Sequence, residues 1–271
     1  MAMVVVDGID ALERSLGRLF VVVGVFDGLH LGHEYLLGEL VREARLLGAL
    51  PAVVTFDHHP DEILTGHAPP LLCDPDERLE RLGAAGVAVT IVQTFDVALR
   101  ETPYDGFVRR IADPVDLAGF LMTPDSAFGY QRGGTVATLG ELGRALGYEV
   151  VVVPPFALDG LPVSSSTIRA AIATADFAAA ERLLGRPYAV TGDGFEAGAG
   201  RVAVQFRMPV ALPPAGRYDA TVEFGSPAPT QIASVSVGEG GQLTLATRPF
   251  SGRARVVFER DRRSAATIRR S

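Results

Sequence analysis

The chain has 271 residues, 48% of them hydrophobic and 21% charged, proportions that are ordinary for a globular protein with one large domain and one small domain. Its net charge of −7 argues against a general nucleic-acid surface, which would be basic. All 25 basic residues are Arg, which excludes Schiff-base chemistry and a Walker A loop, whose Lys reaches the terminal phosphates.

The apolar runs, the first residues and the cysteine count predict a cytoplasmic protein without a membrane partner. The longest apolar runs, LFVVVGVF and VVVVPPFA, are far shorter than the roughly 20 residues that cross a bilayer. The first residues, MAMVVVDGID, carry no positive charge, so we expect no signal peptide. The single cysteine, Cys73, excludes an internal disulfide framework and suits a reducing compartment.

The first half of the chain alternates between apolar strand-like runs and helical patterns. The runs are Leu19–Phe26, Ala52–Phe56, Val87–Val92, Leu117–Met122 and Glu149–Val153. The helical patterns are Glu34–Leu47, Pro75–Ala84, Tyr104–Ile111 and Leu139–Leu146. Continuous apolar strands between helices predict an α/β fold with a Rossmann-like, doubly wound parallel sheet, in which ligands bind beyond the carboxyl ends of the strands.

The first candidate site follows the first of these runs. Gly24 and Asp27-Gly28 form a predicted tight turn, and His30 and His33 follow with a spacing of three residues. An amphipathic pattern begins there, so we expect His33 in the first turn of a helix. A helix N-terminus favours anions, imidazoles can donate hydrogen bonds to phosphate oxygens, and glycines let a ligand approach the backbone. The pattern therefore indicates a phosphate site.

Other interpretations of the two histidines remain open at this point. A zinc pair on one helix face usually has a spacing of four, whereas this pair has a spacing of three with no Cys or third His close by. The histidines could also be core or capping residues. A dinucleotide-binding turn would need the G-x-G-x-x-G spacing, which GVFDGLHLG lacks.

Two further candidate loops follow predicted strands. Thr55-Phe56-Asp57-His58-His59-Pro60 is either a functional segment or a plain strand end that runs into a proline turn. Residues 124–134, PDSAFGYQRGG, place an aromatic ring in a glycine-rich loop, where it could stack on a planar ligand ring. A flexible solvated loop is the alternative interpretation of the second segment.

A fourth candidate combines hydroxyls with a guanidinium. Ser164, Ser165, Ser166 and Thr167 stand at a predicted helix start, and Arg169 falls on its first turn. A simple N-cap needs one hydroxyl, so this run is typical of an anion cradle in which Arg grips a phosphate in two places.

From Ala189 onward the composition turns to Gly, Pro, Val and Thr. Short strand signals occur at Val202–Phe206, Tyr218–Phe224, Ile232–Val237, Leu243–Thr247 and Arg255–Phe258. They predict a small antiparallel β domain over residues 187–271, after a first domain over residues 1–186. The terminal arginines are interpreted as a solvated tail; they are Arg260, Arg262, Arg263, Arg269 and Arg270.

Residues 24–33, GVFDGLHLGH, carry a family resemblance. They resemble the HxGH signature of the nucleotidyltransferase superfamily and, in the form G-x-FDG-x-H-x-GH, the FMN adenylyltransferase (FAD synthetase) module of bacterial bifunctional riboflavin kinase/FAD synthetases. The segment from Thr55 resembles the family's TF-[DE]-PHP motif with His58 in place of Pro. PVSSSTIR is similar to its ISS-[ST]-x-IR motif. Residues 124–134 resemble its aromatic glycine loop, with departures at Ser126 and Ala127.

The resemblance implies an enzyme that makes FAD and pyrophosphate from FMN and ATP with Mg²⁺. It implies that the catalytic residues are His30, His33 and Arg169. The implied ATP-binding residues are Gly24, Phe26, Asp27, Gly28, Ser164, Ser165 and Ser166. The implied flavin-binding residues are Phe56, Pro60, Asp125 and Phe128. The Mg²⁺ ligands stay open.

The β domain resembles the family's riboflavin kinase barrel in a shortened form. The barrel's G-F-P-T-A-N motif is missing, and GAGRVAVQFRMP stands where it should begin, so we expect no riboflavin kinase activity. Two other functions remain open: a nucleotidyltransferase with a different phosphate acceptor, and a non-catalytic flavin- or nucleotide-binding protein.

Overall fold

The structure, a computed structural model, describes residues 2–198, 200–224, 230–248 and 250–259. These residues form two compact units. The first comprises residues 2–69 and 75–162, and the second comprises residues 70–74 and the described residues from 163 onward. The helices that follow residue 163 therefore group with the C-terminal strands, while the predicted boundary at residue 186 stays a prediction.

A six-stranded parallel sheet forms the centre of the first unit. Its strands are β1 (Val4–Asp7), β2 (Arg18–Val23), β3 (Leu50–Phe56), β4 (Val89–Gln93), β5 (Asp116–Met122) and β6 (Glu149–Val152). They are arranged in the order β1-β4-β3-β2-β5-β6, and every pairing is parallel. A short hairpin, β7 (Ala157–Leu158) and β8 (Leu161–Pro162), follows the sheet.

Helices cover both faces of this sheet. They are α1 (Leu31–Leu46), α2 (Asp61–Thr65), α3 (Pro75–Ala84), α4 (Val97–Arg100), α5 (Tyr104–Ala112) and α6 (Val136–Leu146). Alternate side chains of a strand point to opposite faces, so Leu19 and Val21 join one apolar cluster with α5 and α6, and Phe20 and Val22 join another with α1 and α3. The predicted doubly wound, Rossmann-like sheet is confirmed.

The order in which the chain adds strands to the sheet reverses between the neighbouring strands β2 and β5. From β2 the order continues through β3 to β4 on one side, whereas β5 and β6 lie on the other side. Val21 of β2 pairs with Phe120 of β5. Ligands of such sheets bind at this switch point, outside the carboxyl ends of the strands. The GVFDGLHLGH turn and the loop after Met122 both begin there.

Two predictions of element bounds were incomplete. The run predicted as a strand to Phe26 ends as a strand at Val23, because Phe26 has a φ of 52°, which is incompatible with extended backbone. Helix α1 begins at Leu31, three residues before the predicted start at Glu34, so His33 lies in its first turn.

The second unit contains two helices and a closed barrel. The helices are α7 (Ser165–Ala173) and α8 (Phe177–Leu184). The strands are β9 (Ala189–Glu196), β10 (Arg201–Gln205), β11 (Gly216–Glu223), β12 (Thr230–Val237), β13 (Leu243–Ala246) and β14 (Gly252–Phe258). They close antiparallel in the order β10-β13-β12-β11-β14-β9, which confirms the predicted antiparallel β domain. Ile168, Ile172 and Phe177 of the helices pack into the same apolar core as the barrel strands.

The predicted arginine tail, from Arg260 onward, lies outside the described residues. Every helix in the described parts of the chain is too short or too polar to cross a membrane.

Candidate active site

The turn that follows β2 holds two non-glycine residues in left-handed backbone conformations. Phe26 has a φ of 52° and Leu29 a φ of 34°, while Gly28 between them has a φ of 78°. Residues other than glycine adopt such backbone angles only where the surrounding structure enforces them. Backbone strain of this kind is concentrated at functional sites. Here Phe26 and Leu29 are buried in the apolar cluster beneath α1, which fixes the turn.

His30 caps the helix that this turn leads into. Its Nδ1 accepts a hydrogen bond from the backbone N–H of His33 at 3.3 Å, and the residue is only 4% exposed. An acceptor Nδ1 means that the proton of the neutral ring is on Nε2. The capping interpretation is therefore correct for His30, and capping leaves Nε2–H as the donor of this side chain.

His33 lies against His30 and is neutral at pH 7. The two rings stack with their centroids 3.7 Å apart, and the Phe26 ring lies 5.1 Å from the His33 ring. Burial of the ring, followed by the nearby imidazole of His30, holds the pKa of His33 well below 6.5. Its Nδ1 is buried and has no hydrogen-bond partner among the described residues.

A zinc pair is not supported at these histidines. The described residues contain no group of three or more His, Cys, Asp or Glu side chains that could hold a metal ion. A structural zinc site needs four ligands and a catalytic one three.

A cavity of about 750 Å³ opens at the carboxyl ends of β2, β3 and β5. All four predicted flavin-binding residues line it, namely Phe56, Pro60, Asp125 and Phe128. Gly24 of the motif turn lines it too, whereas neither histidine belongs to its wall. Cavities that take planar organic ligands have volumes of about 300–1,000 Å³ and mainly apolar walls, and this cavity has both properties.

Aromatic contacts fix the rings in this wall. Phe56 meets Phe95 edge to face with centroids 5.3 Å apart. Phe128 packs against Phe107 at 5.3 Å and Phe120 at 5.5 Å. Rings that are held by neighbouring rings offer a fixed apolar surface to a planar ligand.

His58, which departs from the resembled motif, contributes a backbone hydrogen bond that proline cannot make. Its N–H donates to Oδ1 of Asp57 at 2.7 Å, and Thr94 Oγ1 and the N–H of Phe95 donate to the same carboxylate at 2.8 Å and 3.3 Å. Burial raises the pKa of Asp57, but these hydrogen bonds outweigh it and bring the pKa below 3.8. The ionised carboxylate therefore ties the end of β3 to the end of β4.

Short polar and glycine residues shape the loop after β5. Ser126 Oγ accepts from the N–H of Thr123 at 3.0 Å, so the small residue at this departure forms a turn. Gly129 has a φ of 75°, and a Cβ there would lie 2.6 Å from Cα of Tyr104, so only glycine fits. Arg132 closes the loop by donating from Nη2 to the carbonyl of Asp125 at 2.9 Å.

In the second unit, one of the predicted serines is an N-cap. Ser164 Oγ accepts from the N–H of Thr167 at 3.2 Å at the start of α7. Ser165 and Ser166 occupy the first turn, and Nε of Arg169 donates to the carbonyl of Pro70 at 2.7 Å. Their assignment to ATP stays a prediction.

Several residues of the cavity wall lie outside the segments predicted from the sequence. They are Leu64, Phe95, Leu99 and Arg100. Phe95 could have been found, because it follows the predicted strand Val87–Val92 at the same sheet edge as the other loops. Leu64 and Leu99 lie on helices of five and four residues, which give no helical periodicity in the sequence.

Comparisons with known proteins extend the resemblance. Residues 13–167 match the FAD synthetase family. The chain is 34% identical over 191 residues to a bifunctional riboflavin kinase/FMN adenylyltransferase of Pseudomonas fluorescens, a match that covers 70% of this chain and 61% of the relative. The protein of the same description from Haemophilus influenzae is 33% identical over 192 residues, covering 70% and 62%. The chain thus spans about three fifths of the length of these curated relatives.

A solved structure has the same fold. The crystal structure of a macrolide-efflux protein from Streptococcus pneumoniae superposes with a TM-score of 0.79 and 22% identity, covering 95% of this chain and 89% of that one. This likeness shows the fold alone. The family match covers more than half of the chain and includes the GVFDGLHLGH turn and the cavity wall. The chain therefore belongs to the FAD synthetase family of nucleotidyltransferases.

Proposed function

We propose that this protein is an FMN adenylyltransferase, which makes FAD and pyrophosphate from FMN and ATP. One observation carries the proposal: Gly24, the first residue of the GVFDGLHLGH turn, lines a largely apolar cavity of about 750 Å³. This arrangement supports the proposal, because a cavity whose size and apolar wall suit a planar aromatic group adjoins a turn whose two histidines suit phosphate.

The reaction needs little acid–base chemistry from the protein. An oxygen of the FMN phosphate attacks the α-phosphorus of ATP in line, the bond from that phosphorus to the bridging oxygen breaks, and pyrophosphate leaves with the bonding electrons. A phosphate monoester is already ionised at pH 7, so no strong base is required. Positioning of the two substrates and stabilisation of charge therefore provide most of the rate enhancement.

The two histidines act as hydrogen-bond donors in this proposal. His30 donates through Nε2–H, because its Nδ1 accepts from the N–H of His33. His33 is neutral at pH 7 and donates from one ring nitrogen. Both donors stabilise the charge that develops on the α-phosphate and on the leaving group. Donors that are already in place need no reorganisation during the reaction, which is why their effect on rate is large.

Other residues bind the two substrates. Gly24, Phe26, Asp27 and Gly28 form the turn that ATP approaches. Ser164, Ser165, Ser166 and Arg169 bind the β- and γ-phosphates of ATP. Phe56, Pro60, Asp125 and Phe128 bind the flavin.

The residues of this chain fit a Mg²⁺ ion that is carried by ATP. The described residues include no cluster of three His, Cys, Asp or Glu side chains, so they offer no cage made of protein groups alone. Mg²⁺ is commonly held by substrate phosphates, water and one or two carboxylates. Asp27, which is 3% exposed in the motif turn, is our candidate carboxylate. When bound, Mg²⁺ neutralises charge on the pyrophosphate that leaves.

The direct test is to incubate the purified protein with Mg-ATP and FMN and to measure FAD and pyrophosphate. We expect both products in equal amounts. We also expect the protein to act in the cytoplasm. Pyrophosphate release with another phosphate acceptor, but not with FMN, would assign the protein to a different nucleotidyltransferase reaction. Binding of FMN or ATP without any product would identify a non-catalytic binding protein.

A further inference from the structure

Arg78 is a charged residue in the interior of the first unit. It lies on α3 and is only 6% exposed, although an arginine guanidinium carries a positive charge. Burial of a charge is strongly unfavourable unless the charged group is hydrogen-bonded. The hydrogen bonds of the Arg78 guanidinium must therefore offset the cost of burying its charge.

The two terminal nitrogens of Arg78 hold two different loops of the candidate active site. Nη1 donates to the carbonyl of Val25 at 3.3 Å, in the turn after β2, and Nη2 donates to the carbonyl of Phe56 at 2.8 Å, at the end of β3. Thr55 Oγ1 donates to the same Val25 carbonyl at 3.0 Å. Both carbonyls lie where the parallel ladder between β2 and β3 has ended.

The two residues held in this way both belong to the candidate active site. Val25 and Phe56 both line the cavity, and Val25 directly precedes Phe26, whose left-handed backbone begins the turn toward His30. Arg78 itself is not part of the cavity wall in the described structure. Its hydrogen bonds to Val25 and Phe56 act on two residues of the wall.

We propose that Arg78 is a positioning residue that fixes the motif turn relative to the end of β3, and so sets the distance between the FMN phosphate and the donors that stabilise the reacting phosphate. The inference rests on the proposed function. A planar guanidinium can hold two carbonyls at a fixed separation, whereas the ammonium of lysine is a point charge on a flexible stem and cannot. A misplacement of about 1 Å between reacting groups can reduce a rate by about 10²-fold.

The test compares Arg78→Lys with a matched control on the same helix. Arg81 lies one turn later, is partly exposed and pairs with Glu77 at 2.7 Å, so Arg81→Lys makes the same chemical change without reaching the site. We expect Arg78→Lys to reduce kcat for FAD formation about tenfold or more, with dissociation constants for FMN and ATP within about threefold of the unsubstituted protein. Arg81→Lys should keep the normal kcat.

A second variant tests whether Arg78 acts through the Val25 carbonyl. Thr55→Val removes the other donor to the Val25 carbonyl, so its effect on kcat should be non-additive with that of Arg78→Lys, because the two side chains share one acceptor. All kcat values are referred to the fraction of folded protein, measured by circular dichroism and thermal melting.

The outcomes distinguish this inference from the proposed function. A normal kcat in folded Arg78→Lys, equal losses in Arg78→Lys and Arg81→Lys, or a loss explained by the unfolded fraction would each overturn the positioning role and leave the proposed function intact. Absence of FAD formation by the unsubstituted protein would overturn both.

Discussion

The imidazole rings of His30 and His33 are stacked, with 3.7 Å between their centroids and 17° between their planes. Two rings this close cannot both carry a positive charge without strong repulsion. The backbone N–H of His33 also donates to His30, so the pair is held by a helix cap as well as by its own contact. The stack therefore disfavours two imidazolium cations, and the lowered pKa of His33 keeps that ring neutral at pH 7.

The first prediction concerns the role of this pair in turnover. Because both donors act on charge that develops in the transition state, His30→Ala or His33→Ala should reduce kcat about 10²-fold or more, with a smaller effect on ATP affinity. Steady-state FAD formation measures kcat, and titration measures affinity. His67→Ala, at an exposed histidine, is the control. Near-normal turnover in a folded variant of either residue would contradict the assignment.

The second prediction concerns stability at acidic pH. The pKa of His33 is well below 6.5 in the folded protein and close to 6.5 when unfolded. Below pH 6.5 the unfolded chain therefore binds more protons at this site, and stability falls as the pH falls, by at most about 1.4 kcal/mol per pH unit. Stability from this site is fully present above pH 6.5.

The measurement for that prediction is the melting temperature between pH 7.5 and pH 5.5. His33→Gln removes the titrating ring, so its melting temperature should fall less over this range than that of the unsubstituted protein. His67→Gln serves as the matched control and should leave the pH dependence unchanged. An identical pH dependence in His33→Gln would show that His33 does not bind fewer protons in the folded state.

The third prediction concerns the flavin cavity. Ala127 lines its wall and is one of the departures from the resembled motif, so Ala127→Trp places a large ring where the flavin should bind. We expect the KM for FMN to rise about tenfold or more, while the dissociation constant for ATP stays within about threefold. Ala137→Trp, at an exposed position of α6 outside the cavity wall, is the control. An unchanged KM for FMN in the folded variant would contradict the assignment of this cavity to the flavin.

The fourth prediction concerns Arg169. As a bidentate clamp on the ATP phosphates it should not tolerate lysine, and Arg169→Lys should reduce kcat/KM for ATP about tenfold or more, with FMN binding close to normal. Nε of Arg169 also donates to the carbonyl of Pro70, which offers a structural role in the second unit. Equal losses for both substrates, together with a lower melting temperature, would favour that structural role.

The sequence predicted the sheet and the motif turn because local signals agree there. An apolar run, Gly24, Asp27-Gly28 and an amphipathic pattern each predict the same strand, turn and helix. The left-handed backbone of Phe26 could not be predicted, since it depends on burial of that ring under α1. The burial of Arg78 could not be predicted either, because an arginine on an amphipathic helix is usually exposed.

The strand β9 shows how tertiary packing conceals a local signal. Gly192 and Gly194 interrupt its strand pattern, and the sequence gives no reason for them. In the barrel, a Cβ at Gly192 would lie 2.6 Å from the carbonyl oxygen of Gln205, and one at Gly194 would lie 2.2 Å from the Phe250 ring. The backbone of Gln205 requires glycine at position 192, and the Phe250 ring disfavours a side chain at position 194, so both glycines are explained by neighbours that are distant in sequence.

The last prediction is that this protein does not phosphorylate riboflavin. Such a reaction needs a second ATP site, a ligand that orders the metal, and a carboxylate base close to the flavin hydroxyl. The resembled kinase barrel supplies the first two chiefly from its P-T-A-N turn. This chain contains no Asn and no P-T-A sequence, and β10 (Arg201–Gln205) lies within the segment where that motif should begin.

The N-terminal motifs cannot replace that kinase site, because they are expected to direct the α-phosphate of ATP, not its γ-phosphate, at the acceptor. With riboflavin, ATP and Mg²⁺ we therefore expect neither FMN nor FAD, while FMN added to the same sample should be converted to FAD. Chromatographic separation of the flavins over time makes the measurement, and the later addition of FMN proves that the protein was active throughout. Steady accumulation of FMN or FAD from pure riboflavin would contradict the prediction and would place a working kinase site in the barrel.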